Sequence, residues 1–222
     1  MRRLKENRFA ARITKDSISS LPLVSFGGDI VLVRNPQGVR EAMEYLDQQT
    51  VVGVDTETRP SFQKGIHHRT ALLQISTEER CYLFQLLQCG FSSSLAELFS
   101  NPHICKVGLA FKEDLRGLSS LHAFSAENCI DLQKIVLKYG ILDLGLQKIF
   151  AIVFGRRISK SQQLTNWENV CLTADQQRYA ATDAWATLLI YKELMMTKPL
   201  RRKEYMQLQA EDLLRQQEHQ QV

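Results

Sequence analysis

Residues 51–58 have the sequence VVGVDTET, in which four apolar residues lead directly into two acidic residues separated by one threonine. An uninterrupted apolar run of this length, followed by polar residues, predicts a buried strand. Side chains two positions apart on a strand point to the same face, so Asp55 and Glu57 would leave that strand side by side. Charge in such a place is costly unless a partner compensates it. The segment therefore predicts a sheet strand that ends in a charged site.

Apolar segments of strand length alternate with helical patterns along the first half of the chain. The predicted strands are DIVLV, VVGVDTE, ALLQIS, CYLFQL and HICKVGLA. Helices are predicted for NPQGVREAMEYLDQQ, SSSLAELFS and FKEDLRGLSSL, and the chain becomes mainly helical after CIDLQ. Strands that alternate with helices favour an α/β fold with a mixed sheet flanked by helices.

The length and composition fit one large domain. With 222 residues, 44% of them hydrophobic, the chain can bury one α/β core but not two large ones. We expect residues 29–196 to form this domain, preceded by an N-terminal arm of residues 1–28 whose partial disorder is left open. Residues 197–222 are polar and rich in Gln, which favours a fraying surface helix or tail over a partner-binding helix.

Net charge, cysteine content and hydropathy bear on the partners and the cellular compartment expected for this protein. A net charge of +4 suits a polyanionic partner but is common among unrelated proteins. The five cysteines are an odd number without a CxxC pair, which favours reduced thiols. No segment approaches the ~20 apolar residues of a membrane helix, and the basic N-terminus lacks a signal-peptide core. We expect a cytoplasmic protein without a membrane segment or an obligate protein partner.

A second pair of polar side chains lies in a later helical pattern. Tyr179 and Asp183 are four residues apart in QRYAATDAWATLL, a spacing that puts both on one face of a helix. A further acid, Asp114, lies near the start of the predicted helix FKEDLRGLSSL. Taken singly, these features have plain explanations, such as a solvated turn, an acid that opposes the helix dipole, or a buried tyrosine.

Taken together, these residues would bring four carboxylates to one point. Crowded carboxylates repel one another unless a cation compensates them, and hard divalent cations prefer oxygen ligands. The sequence therefore predicts a Mg²⁺ or Mn²⁺ site beside Tyr179, with the ligands Asp55, Glu57, Asp114 and Asp183.

Three segments, in this order, resemble the motifs of a known nuclease group. They are GVDTETRP, KVGLAFKEDLRGL and LTADQQRYAATDAWATLLIYKEL, and they resemble the 3′-5′ exonuclease domains of the DEDD superfamily. The histidine-bearing subgroup has its histidine where this chain has Arg178, so the chain resembles the tyrosine-bearing subgroup (DEDDy), with Tyr179 in that role. The connecting segments TALLQIS, CYLFQL and TNWE are similar to those of Werner-type exonucleases, and ribonuclease D belongs to the same subgroup.

The resemblance implies a ribonuclease-H-like fold and a catalytic set of five residues: Asp55, Glu57, Asp114, Tyr179 and Asp183. It implies two divalent metal ions, with Asp55 near both, Glu57 and Asp183 completing the tighter site, and Asp114 serving the second. Tyr179 would position the attacking water, because a tyrosine with a pKa near ~10 is too weak a base at neutral pH. The implied reaction hydrolyses the terminal phosphodiester and releases a nucleoside 5′-monophosphate.

Several further residues are candidates for contact with nucleic acid. The candidates for phosphate contact are Lys64, Lys112, Arg116 and Lys160. The alternative interpretation is that each of these residues is an ordinary solvated charge on the surface. Leu72, Gln74 and Phe111 occupy positions where the resembled family places side chains beside the terminal bases, with core packing as the alternative for Leu72.

The sequence leaves three functional hypotheses open. The first is a metal-dependent exonuclease acting on the 3′ end of single-stranded or 3′-recessed DNA. The second is an RNA 3′-end trimming enzyme of the ribonuclease D type, which is less favoured because only about 39 residues follow Asp183. The third is a catalytically silent nucleic-acid-binding module, which the complete acid set disfavours.

Overall fold

A computed structural model describes residues 4–61, 63, 65 and 68–220, and for residues 215–220 the backbone alone. Its described residues form a mixed sheet whose strands are β1 (Asp29–Val33), β2 (Val51–Thr58), β3 (Thr70–Ser76), β4 (Arg80–Gln85), β5 (Cys105–Gly108) and β6 (Cys129–Asp131). The strand order is β1-β4-β3-β2-β5-β6. β3 runs antiparallel to β2 and β4, and the other pairs are parallel. The predicted mixed α/β sheet is confirmed.

Helices connect and cover the strands. They are α1 (Lys15–Ser19), α2 (Pro36–Leu46), α3 (Leu86–Cys89), α4 (Ser93–Ser100), α5 (Phe111–Ser119), α6 (Leu132–Val136), α7 (Leu146–Phe154), α8 (Ala174–Met195) and α9 (Arg202–Gln220), with a 3-10 turn at Leu137–Tyr139. Over the described part of the chain, every helix is too short or too polar to cross a membrane.

Two apolar layers enclose the sheet, and β3 contributes to both. Leu73 and Ile75 pack with α2 and α4 on one face. Leu72 packs on the other face with Tyr179 and Ala180 of α8. Successive side chains of a strand point to opposite faces, so this alternation places α8 under the even-numbered positions of β3.

A glycine in β2 lets α8 lie directly on the sheet. A Cβ atom built on Gly53 would be 1.9 Å from the carbonyl oxygen of Ala184 and 2.9 Å from Leu188 Cβ, so no other residue fits without displacing the helix. The hydroxyl of Thr187, in the next turn of α8, lies 3.1 Å from the carbonyl oxygen of Val107 in β5. The backbone of α8 is thereby held beside the strand that carries the two acids.

The described part of the N-terminal arm packs against the domain. Near its start, the Lys5 amide donates to the Met196 carbonyl at 2.7 Å. Near its end, the side chain of Phe26 is 1% exposed, and its amide donates to Thr182 Oγ1 at 3.0 Å. The division of the chain into an arm, a domain and a tail stays a prediction, but the arm contacts the domain through residues such as Lys5 and Phe26.

The polar C-terminal segment forms α9. This helix is joined to the N-terminal arm by Arg12, whose Nε and Nη2 donate to the two carboxylate oxygens of Asp212 at 2.7 and 2.9 Å. The arm and the C-terminal helix therefore contact each other directly.

Candidate active site

The two acids of β2 lie in the interior of the sheet. β2 pairs with β3 on one side and with β5 on the other, and its residues Val52, Gly53 and Val54 are buried. α8 begins with a capping box in which the Thr173 side chain accepts from the Gln176 amide and the Gln176 side chain accepts from the Thr173 amide. This fixes the start of the helix that carries Tyr179 and Asp183.

Three carboxylates converge where β2 and α8 meet. One oxygen each of Asp55, Glu57 and Asp183 lies within 4.8 Å of the others. Asp183 is buried and the other two are half-buried. They line a cavity of about 330 Å³ together with Tyr179 and Lys160. The convergence predicted from the two sequence spacings is present for these three acids.

The ionisation of the three carboxylates is strongly perturbed. Burial raises the pKa of Glu57 to about 9, and repulsion from Asp183 and Asp114 adds to the shift. Burial and the neighbouring acids also raise the pKa of Asp55 well above its usual range. Burial raises the pKa of Asp183 to about 7, although the Tyr179 hydroxyl and Lys160 act in the opposite direction. The positive charge of Lys160 therefore does not offset the three acids.

This arrangement fits a divalent cation. The cluster offers oxygen ligands only, which hard cations such as Mg²⁺ and Mn²⁺ prefer over soft metals. A bound cation would supply the positive charge that the carboxylates need and would lower their pKa values. Asp55, Glu57 and Asp183 could therefore hold a metal ion.

Asp114 lies beside this cluster but outside the group of three. Its Oδ1 accepts a hydrogen bond of 2.5 Å from Thr56 Oγ1, the residue between the two acids of β2. Burial raises the pKa of Asp114 to about 6. Ala110, before the first turn of α5, has a left-handed φ of 53° and donates its amide to Asp131 Oδ1 at 3.0 Å. Asp114 is thus positioned from both β2 and β6.

A second cavity opens on the other side of β2. It has a volume of about 720 Å³ and is lined by Thr56 and Asp114 together with the basic residues Arg59, Arg69 and Arg116. Thr56 also lines the cavity of the three carboxylates. The two cavities therefore meet at the end of β2.

Tyr179 closes one side of the carboxylate cluster. It is 8% exposed, and its ring lies 5.9 Å from the ring of Trp167, measured between centroids. Burial, followed by the negative charges of Asp183 and Glu57, raises the pKa of Tyr179 above its usual range. Its hydroxyl therefore keeps its proton and can act as a hydrogen-bond donor.

The predicted basic contacts are separated in the structure. Lys160 lines the carboxylate cavity and is exposed. Arg116 lines the second cavity and forms an ion pair with Glu113 at 2.8 Å. Lys112 is exposed on α5, and Lys64 lies outside the described residues. Their phosphate-binding roles stay predictions.

Leu72, Gln74 and Phe111, the predicted contacts with the terminal bases, are buried in the structure. Leu72 and Gln74 are 0% exposed and Phe111 is 1% exposed. Leu72 packs under α8, and Phe111 packs in the opposite core layer. In this structure none of the three presents a surface to a base, because sheet and helices enclose all of them.

Residues that sequence reasoning missed also shape the site. Gly53 allows the close approach of α8 to β2. The sequence feature that could have indicated this is a glycine inside an apolar strand pattern. Glu168 contacts Arg59 at 3.2 Å and His68 Nδ1 at 3.3 Å, which ties the loop after Trp167 to the wall of the second cavity. The Glu168 contacts had no local signal, because their partners are distant in sequence.

The sequence is similar to a known protein family and to known proteins. It matches the 3′-5′ exonuclease family over residues 30–197, and the chain belongs to that family. It is 31% identical over 186 residues to the mouse bifunctional 3′-5′ exonuclease/ATP-dependent helicase WRN, a match that covers 79% of this chain and 13% of the mouse protein. The resemblance to Werner-type exonuclease domains is confirmed.

Solved structures agree on the fold. The Nibbler EXO domain of Aedes aegypti superimposes with a TM-score of 0.71 at 20% identity, covering 83% of this chain and 99% of that one. Escherichia coli RNase D gives a TM-score of 0.69 at 24% identity, covering 75% of this chain and 44% of that one. The predicted ribonuclease-H-like fold is confirmed.

Proposed function

We propose that this chain is a metal-dependent 3′-5′ exonuclease that hydrolyses the terminal phosphodiester of a nucleic acid and releases nucleoside 5′-monophosphates. The observation that carries the proposal is the convergence of three carboxylates within 4.8 Å, beside a buried tyrosine, in a member of the 3′-5′ exonuclease family. Its preferred substrate in this proposal is a single-stranded or 3′-recessed DNA end.

The acids divide between two divalent metal sites, with Mg²⁺ or Mn²⁺ as the ions. Asp55, Glu57 and Asp183 would hold one ion, and Asp114 together with Asp55 would hold the other. When bound, such ions activate a water for attack and stabilise the leaving oxygen. The half-buried position of Asp114 beside Thr56 keeps it available to the neighbouring cluster.

Tyr179 and Lys160 have supporting roles in this proposal. The protonated Tyr179 hydroxyl donates a hydrogen bond that orients the attacking water, since its raised pKa makes it a donor rather than a base. Lys160 lies in the same cavity, close enough to Asp183 to lower the pKa of that acid, and would contact a phosphate of the substrate.

RNA is the alternative substrate. Escherichia coli RNase D, whose fold is similar to this one, is an exoribonuclease involved in structured RNA processing. The carboxylate cluster would act on the phosphodiester, a group that DNA and RNA share, so the same chemistry would apply to an RNA 3′ end.

The test is a time course of cleavage. The substrates are 5′-labelled single-stranded DNA, 3′-recessed DNA and RNA of matched sequence, with Mg²⁺, Mn²⁺ or EDTA. We expect a ladder that shortens from the 3′ end, requires metal and is absent for Asp183→Asn. Glu41→Gln, an exposed change on α2, is the control and should cleave normally. Binding in EDTA without any ladder would instead identify a silent nucleic-acid-binding module.

A further inference from the structure

Gln74 in β3 is a buried amide without a hydrogen-bond partner. The residue is 0% exposed, and neither Oε1 nor Nε2 of its side chain has a partner among the described residues. Buried polar side chains in folded proteins are nearly always paired, because an unpaired amide loses its water without replacement. Such an exception calls for a partner that another state of the protein supplies.

The register of the sheet identifies this partner. Gln74 is the direct antiparallel partner of Asp55 in β2, and on its other side it faces Leu83 in β4. Side chains at directly opposite positions lie on the same face, with Cβ atoms about 4.5–5.5 Å apart. A glutamine side chain is long enough to bring Nε2 to a carboxylate oxygen over that separation. Of these two cross-strand neighbours, Leu83 has no polar side-chain atom and Asp55 has a carboxylate.

The surrounding layer agrees with this placement. Leu72, which shares a strand face with Gln74, packs against Tyr179 and Ala180 of α8. Gln74 is therefore enclosed between the sheet and the helix that supplies Asp183. It has no exposed surface and is not among the residues that line the carboxylate cavity.

We propose that Gln74 is a positioning residue for Asp55: with a divalent cation bound, its Nε2 donates a hydrogen bond to one Asp55 carboxylate oxygen and holds the other oxygen toward the cation. The inference rests on the proposed metal-dependent function. Groups behind a metal ligand commonly orient it in this way. A neutral amide suits the position, because it donates a hydrogen bond without adding another charge to the cluster.

Gln74→Met separates this role from simple packing. Methionine has a similar volume and no hydrogen-bonding amide, so it removes the unpaired group while filling the same space. We expect unchanged or higher thermal stability together with weaker metal binding. Leu83→Met is the matched control, since Leu83 is equally buried, neighbours Gln74 on the same face and lies away from Asp55.

The primary measurement is a calorimetric titration of each protein with Mn²⁺ in the absence of nucleic acid, accompanied by thermal unfolding in EDTA and by kcat and KM on single-stranded DNA. We expect Gln74→Met to weaken Mn²⁺ binding and lower kcat by about 10- to 100-fold, with an unchanged KM. Leu83→Met should match the wild-type protein in all three.

Wild-type Mn²⁺ affinity and kcat in Gln74→Met would overturn the inference while leaving the exonuclease proposal intact. A fall in unfolding temperature that accompanies the loss of metal affinity would overturn it too, since Gln74 would then be a structural residue. Wild-type protein that binds Mn²⁺ without cleaving any substrate would remove the exonuclease proposal, and the difference in Mn²⁺ affinity between wild type and Gln74→Met would still decide the role of Gln74.

Discussion

Thr56 Oγ1 donates a hydrogen bond of 2.5 Å to Asp114 Oδ1 and so joins β2 to α5 across 58 positions of the chain. Burial raises the pKa of Asp114 to about 6, and this hydrogen bond limits the rise. The hydrogen bond also fixes the rotation of this carboxylate relative to Asp55 and Glu57, the two neighbours of Thr56. The residue between the acids therefore contributes to the site through the opposite face of the strand.

Thr56→Val keeps the shape of the side chain and removes its hydroxyl. We expect the Mg²⁺ concentration needed for half-maximal cleavage to rise by about tenfold or more, because Asp114 loses the hydrogen-bond donor that orients it and its pKa rises further. The measurement is cleavage rate against Mg²⁺ concentration. Thr56→Ser, which retains the hydroxyl, should restore the wild-type requirement, and equal behaviour of the two variants would show that the hydrogen bond is unimportant.

Tyr179→Phe removes one hydroxyl from a well-packed ring. The contact with Trp167 remains, so the fold should be unchanged. We expect kcat to fall by about 10²-fold, the scale of a group that orients or transfers a proton, with KM nearly unchanged. Single-turnover cleavage measures the effect, and an unchanged rate would remove the hydroxyl from the mechanism.

The metal-free protein should lose stability as the pH rises. The pKa of Glu57 is raised from its ordinary 4.5 to about 9, so the folded state holds a proton that the unfolded state has already released. The stabilisation that this proton provides is therefore complete below pH 4.5 and is lost as the pH rises from 4.5 to about 9. We expect the unfolding temperature in EDTA to be lower near pH 9 than near pH 6. This difference should be larger in the wild-type protein than in Glu57→Gln, which has no carboxyl group at this position. Addition of Mn²⁺ should reverse the loss at high pH and release protons.

Gly53→Ala should separate α8 from the sheet. The added Cβ would meet the Ala184 carbonyl oxygen at 1.9 Å, and overpacking of this kind costs about 1–3 kcal/mol or more. We expect a lower unfolding temperature and a loss of activity, since Asp183 moves with the helix. The control is Gly27→Ala, whose Cβ would have nothing within 4 Å. Similar results for both variants would contradict the close-approach explanation.

Lys160→Ala should weaken substrate binding more than catalysis. Lys160 lines the carboxylate cavity, whereas the exposed Lys112 lines neither of the two cavities described above. We expect a higher KM for single-stranded DNA and a shallower dependence of KM on salt, because one phosphate contact is lost. Lys112→Ala is the matched control, and the same salt dependence in both variants would speak against a special role for Lys160.

Local patterns in the sequence were sufficient for much of the fold and for the central acids. The apolar run before Asp55 predicted β2, and helical spacing placed Tyr179 and Asp183 on one face. Both patterns depend on residues close in the chain, whose geometry the backbone itself determines. These spacings predicted that the carboxylates converge, and the structure brings Asp55, Glu57 and Asp183 together.

The remainder depends on contacts between distant residues. The burial of Leu72 and Gln74 results from α8 covering their face of β3, and Phe111 is buried in the opposite core layer. The sequences of β3 and α5 do not show which element covers these residues. The partner of Thr56 lies in another element, so its sequence neighbours give no indication of it. The packing of the N-terminal arm was missed for the same reason, since Phe26 meets its partner Thr182 across 156 positions.

The anchoring of Phe26 has a practical consequence for shortened forms of the protein. Its amide donates to Thr182, and its carbonyl accepts from Arg178 Nη1 at 3.4 Å, so both contacts fall on the part of α8 around Tyr179 and Asp183. A chain trimmed to the family match, which begins at residue 30, would lack these two contacts with α8 and would leave the space of the buried Phe26 side chain vacant. Boundaries drawn from homology alone would thus remove a residue that supports α8, and recombinant fragments should begin before Phe26.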